Sequence, residues 1–78
     1  MLGITKGDIY SGALQGRIVD ADYHGHRVTG EVTYSRVAYG GDIMVGLSLT
    51  RDFKTKIFEY SEGDELELNS DALIAEVD

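Results

Sequence analysis

Short segments rich in Val, Ile, Leu and Tyr, punctuated by Gly or Asp, fill the chain almost end to end. Alternation with a period of two sends one set of side chains to a core and the other to water. From Arg27 to Tyr34, Val28, Gly30, Val32 and Tyr34 alternate with Arg27, Thr29, Glu31 and Thr33. From Asp42 to Thr50, Ile43, Val45, Leu47 and Leu49 alternate with Met44, Gly46, Ser48 and Thr50. Both segments predict half-buried strands. No segment holds a helical period.

The remaining segments are shorter. Leu2 to Ile4 is a small strand candidate, and Ile9 and Tyr10 form a brief apolar run. Ala13 to Tyr23 reads as one long strand whose alternation slips between Ile18 and Val19, and a bulge or bend at Gly16 accounts for the slip. His24, Gly25 and His26 predict a hairpin turn, with Gly25 at positive φ. Gly40, Gly41 and Asp42 mark another turn. Phe53 to Tyr60 is a mixed segment. In Glu65 to Asn69, Leu66 and Leu68 point inward, and in Ala72 to Val77, Leu73, Ala75 and Val77 share a face. Closely spaced strands joined by tight turns predict an all-β fold, a small OB-like β-barrel of five to seven short antiparallel strands.

Length sets the scale: 78 residues make a single domain, 1–78, near the lower limit for independent folding. With no cysteine, neither a disulfide nor a thiolate metal site can brace it. No 18-residue apolar run and no leader-like segment are present, so the expectation is a cytoplasmic domain with no direct membrane insertion. Fourteen acidic against seven basic residues give a net charge of −7, which disfavours a phosphate backbone as partner.

Candidate chemistry is sparse. No cysteine nucleophile exists, the serines lie in no nucleophile elbow, and Gly40-Gly41 opens no phosphate-binding helix. His24 and His26 stand two apart, with Asp22 nearby, but Gly25 between them marks a turn that splays the rings; exposed turn residues are expected rather than metal ligands. Glu65 and Glu67 read as a solvated strand face. Tyr23, Tyr34, Tyr39 and Tyr60 could form stacking platforms, although packing against the sheet is the commoner use of strand tyrosines. The expectation is a non-enzyme without cofactor or metal.

The run Gly16-Arg17-Ile18-Val19-Asp20-Ala21-Asp22-Tyr23-His24-Gly25 resembles the TOBE (transport-associated OB) domain found in ATPase subunits of many ABC importers. Gly16, Ile18, Tyr23 and Gly25 hold the places of the family's Gly-x-Val-x-x-x-x-Tyr-x-Gly strand, with Ile18 for the usual Val. Gly63-Asp64-Glu65-Leu66-Glu67-Leu68 is similar to its Gly-Asp-x-Val-x-Leu strand, and Ala72 to Val77 fits its closing strand. Upstream, Gly3, Ile4 and Asp8 match a Gly-Ile-Arg-Pro-Glu-Asp segment whose centre is replaced by Thr5, Lys6 and Gly7.

The resemblance implies a non-catalytic regulatory and assembly domain, peripheral to the inner face of the membrane. Its partners would be an ATPase domain, which would carry any ATP chemistry, and the transporter's partner subunit, with a homodimer or a small ligand as further options. The oxyanion-binding cousins open with Ser-Ala-Arg-Asn, which is missing, so no such site is assigned. Partner or ligand contact is expected around the turn, at Tyr23, His24, His26 and Arg27. Two alternatives come from other classes. One is a free-standing small-ligand or oligosaccharide binder with Tyr23, Tyr34 and Tyr39 as a stacking shelf. The other is a nucleic-acid-binding OB or SH3-like barrel, which requires Arg17, Arg27, Arg36 and Arg51 to gather on one face.

Overall fold

The computed structural model of the chain describes residues 3–77. Five antiparallel strands build the main sheet: β1 (Ile18–Tyr23), β2 (His26–Val37), β3 (Ile43–Leu49), β6 (Glu65–Asn69) and β7 (Leu73–Val77), in the order β6-β3-β2-β1-β7. Between β3 and β6 the chain makes a separate hairpin of β4 (Phe53–Lys54) and β5 (Glu59–Tyr60). The expectation of a small all-β fold with five to seven antiparallel strands is met. β6 and β7 end the ladder on opposite sides, yet only a 3-10 turn, Ser70–Ala72, joins them. So short a link requires the sheet to curl until its two ends lie close. Hydrogen bonding does not close it: among the described residues no ladder pairs β6 with β7.

Curling wraps one face around the core. Val19, Ala21, Val28, Val32, Val45, Leu47, Leu49, Leu66, Leu68 and Leu73 are all buried. These are the alternate residues of their strands, as a sheet with one wet face demands. Gly30 belongs among them because a Cβ there would stand 3.0 Å from both Leu47 Cβ and the Ser48 carbonyl oxygen. On the opposite face Thr29 is also buried, and its hydroxyl donates to Asp20 Oδ1 at 2.6 Å, so its polar group is satisfied.

Three bulges alter the faces that strict alternation predicts. Gly16 and Arg17 both oppose Val32: Gly16 N–H donates to the Val32 carbonyl at 2.8 Å and Val32 N–H to the Arg17 carbonyl at 2.8 Å. Gly16 has φ 85°, so the slip expected there is a bulge with glycine in the left-handed region. The strand itself starts only at Ile18, and residues 13–16 are turns rather than the start of a long strand. In β2 the register against β3 shifts between Val32 and Tyr34. That extra residue turns Tyr34 onto the outer face, correcting its assignment to the inner face with Val28 and Val32. In β7 the register against β1 shifts between Leu73 and Ala75. Leu73 is therefore buried while Ala75 and Val77, expected to share its face, are exposed.

The N-terminal segment departs most from expectation. Lys6–Ser11, which includes the Ile9-Tyr10 run, is a short helix, α1. Thr5 Oγ1 accepts from Asp8 N–H and Asp8 Oδ2 accepts from Thr5 N–H, a reciprocal cap at its start. Gly12 at φ 70° ends it. Gly3 and Ile4 lie in no strand, and Leu2 of the predicted strand falls outside the described residues. Among the described residues no helix is long and apolar enough to cross a membrane.

Candidate functional site

The β1–β2 turn is a two-residue loop. Tyr23 pairs with His26 across it, and His24 (φ 51°) and Gly25 (φ 84°) both take positive φ. Such turns match the right-handed twist of the strands they join. The turn therefore holds Tyr23 and His26 side by side and lifts His24 onto the tip.

The β4–β5 hairpin comes to meet it. The Leu49 carbonyl accepts from Gly63 N–H at 2.8 Å and Leu49 N–H donates to the Asp64 carbonyl at 2.9 Å, closing the base of this excursion. Asp52 Oδ1 accepts from Glu62 N–H at 2.8 Å and stiffens the stem. At the far end, Thr55 Oγ1 accepts from the N–H groups of Ile57 and Phe58, which shapes the tip. Phe53 and Tyr60, opposite each other in the ladder, are stacked with ring centres 6.2 Å apart.

Together the hairpins assemble six aromatic or imidazole rings. Tyr23 meets Phe53, Phe58 and Tyr60 edge-on at centroid distances of 6.1, 5.2 and 5.8 Å. His24 stacks on Phe58 at 5.1 Å, and His26 lies tilted against Phe53 at 5.9 Å. Separations and angles of this kind are those that aromatic quadrupoles favour. The Tyr23 and Tyr60 hydroxyls are 3.0 Å apart. That hydrogen bond, helped by partial burial, raises the pKa of Tyr23 above its ordinary value. Tyr23, Phe53 and Tyr60 pack on the core, whereas Ile57 at the tip is 85% exposed. A groove of about 490 Å³ runs between His26 and the tip, lined by Lys54, Thr55, Lys56 and Ile57.

Of the four contact residues read from the sequence, the structure brings together Tyr23, His24 and His26. The two imidazoles are exposed and face different rings, as the intervening turn predicts. Arg27 does not join them. Its strand position turns it to the other face, where its guanidinium lies 4.0 Å from Asp20 Oδ2. Phe53, Phe58 and Tyr60 complete the cluster, and only Tyr60 among them was singled out by sequence.

Tyr23, Tyr34 and Tyr39 do not form one shelf, and Arg17, Arg27 and Arg36 each lie beside a different acidic residue. Tyr39 is fully exposed in the β2–β3 turn, and Tyr34 lies over β3 with its hydroxyl on Glu67 Oε2 at 2.5 Å, so neither shares a shelf with Tyr23. Arg27 and Arg36 stand nine residues apart along β2, a separation of about 30 Å at the rise of a strand. Arg17 pairs with Glu76 at 3.3 Å and Arg36 with Glu67, so these two arginines are held by separate acidic neighbours.

At the Arg36 pair, the guanidinium grips Glu67 through Nε at 3.0 Å and a terminal nitrogen at 2.5 Å. This fork, then the Tyr34 hydroxyl, hold the Glu67 carboxyl down to about 2. The same contacts raise the pKa of Tyr34 and of Arg36.

No protein family, curated protein or solved structure matches the chain in comparisons of its sequence and fold.

Proposed function

We propose that the chain is a non-catalytic regulatory and assembly module of an ABC importer ATPase subunit, working by contact at the cytoplasmic face of the membrane. The observation that carries this reading is the junction of the two hairpins. A ring cluster rooted in the core presents exposed His24, His26 and Ile57 on a stiffened tip, an arrangement suited to meeting another protein surface. The positions that resemble the transport-associated barrel also have local work here. Gly16 supplies the bulge, Tyr23 the centre of the ring cluster and Gly25 the turn. ATP chemistry belongs to a separate ATPase domain on this reading, and the present chain positions and pairs the subunits.

The test is a photo-crosslinking amino acid at position 57 in the native host, with position 31 on β2 as control. Crosslinks from position 57 to an importer ATPase or membrane subunit are expected. Loss of the reading follows if neither position yields a transporter subunit, or if both do so equally.

A further inference from the structure

The tip of the β4–β5 hairpin differs in charge from the rest of the molecule. Residues 53–58 hold Lys54 and Lys56 and no acid, in a chain of net charge −7. Lys54 and Lys56 are exposed and, among the described residues, neither makes an ion pair within 4.0 Å. That includes Glu59, which faces Lys54 across the ladder. Both lysines line the groove with His26, and the exposed Ile57 forms an apolar step beside them. Thr55 fixes the backbone of the tip, so the attachment points of the two lysines and the isoleucine are set before anything binds.

We propose that this groove takes an extended acidic peptide segment of a partner protein, its carboxylates on Lys54 and Lys56 and one apolar side chain on Ile57. Charge complementarity selects the occupant. A basic segment would be repelled by the lysines. An anionic bilayer, being extended, would bring its charge against the acidic remainder of the molecule as well as the tip, whereas a short acidic segment fits within the groove beside the lysines. A second copy of this chain carries the same net charge and repels at long range. The inference deepens the contact reading above by naming what is contacted at one end of the junction.

The probe is a fluorescein-labelled peptide of alternating Glu and Leu, titrated with the full chain and read by anisotropy. A lysine–leucine peptide and vesicles containing phosphatidylserine serve as competing probes. Weak binding of the acidic peptide is expected, roughly 10–500 µM for so small an interface. It should weaken about tenfold in K54E/K56E and several-fold in I57S, and fall as salt is raised. All three side chains are exposed, so circular dichroism should show both variants folded. No binding, or binding indifferent to K54E/K56E, overturns the proposal; so does stronger lysine-dependent binding to the vesicles or to the basic peptide. Peptide titration reads the chemistry of the groove and crosslinking reads the identity of the partner, so either result can fail alone.

Discussion

The ring of Tyr34 lies directly over Gly46 on the neighbouring strand, filling the space where any other residue would carry its Cβ. Gly46 in turn opposes Glu67 on β6, so Tyr34 reaches across three strands to place its hydroxyl on that carboxylate. Covering a strand glycine with a cross-strand aromatic makes up for the packing that glycine lacks. Gly46→Ala should therefore cost about 1–3 kcal/mol by overpacking, because the ring must swing away. A chemical-denaturation midpoint measures the loss. If the displaced ring also releases Glu67, its carboxyl titration will move up from about 2 in the same variant.

Glu67 makes the acid limb of stability specific. Its folded-state pKa lies below its ordinary value of 4.5, so the unfolded chain takes up its proton first as pH falls. The contribution is complete above about 4.5 and disappears as pH drops towards about 2. Glu67→Gln should flatten the stability profile across that window and, because the Glu67 contact raises the Tyr34 pKa, also alter the alkaline limb where Tyr34 ionises. Thermal melts at a series of pH values read this; an unchanged acid limb contradicts the Arg36–Glu67–Tyr34 arrangement.

The Tyr23–Tyr60 hydrogen bond gives a second, alkaline test. A single Tyr60→Phe substitution leaves the partly buried Tyr23 hydroxyl without its partner and should cost about 1 kcal/mol. The double change Tyr23→Phe with Tyr60→Phe should cost less than the two single changes added together. Because that hydrogen bond is the main cause of the raised Tyr23 pKa, ultraviolet titration of the Tyr60→Phe variant should return Tyr23 towards its ordinary value of 10.0. The neutral phenol is the form stabilised by folding. Its contribution is present below that value and lost as pH rises through the folded pKa.

At the β1–β2 turn, Gly25→Ala forces a side chain into φ 84° and should destabilise the chain by about 1–2 kcal/mol. His24→Asn keeps a residue that tolerates positive φ and should hold or raise stability while removing the stack on Phe58. Near-ultraviolet circular dichroism separates the outcomes, since the asparagine variant alters the ring environment without lowering the melting midpoint.

Strand identity was legible wherever alternation ran for five residues or more. Arg27 to Tyr34, Asp42 to Thr50 and Glu65 to Asn69 all became strands. Alternation could not reveal the bulges near Tyr34 and before Ala75, because adding one unpaired residue leaves the run of residue types unchanged while reversing every later face. Helix α1 escaped because six residues complete fewer than two turns, too few to show a period. Its only local sign was Thr5 three residues before Asp8, followed by Gly12. The turn residues of the candidate site were readable from Tyr23-His24-Gly25-His26. Their partners were not, since Phe53 and Tyr60 arrive on two strands of two residues each and Phe58 in the loop between them, more than 25 positions later. The pattern Phe53, Phe58 and Tyr60 within eight residues was the one available hint.

Leu49 bonds to both Gly63 and Asp64, and Thr50 to the Thr29 carbonyl on β2, so residues 51–62 leave and re-enter the sheet through a narrow opening. An excursion anchored so narrowly can be lengthened, shortened or exchanged for another sequence with small entropic consequence for the strands beneath it. The rings at the β1–β2 tip, and the edge of the core that Phe53 and Tyr60 cover, would register the exchange. The residues proposed above to meet a partner thus sit on an appendage that mutation can rewrite while the strands below stay as they are.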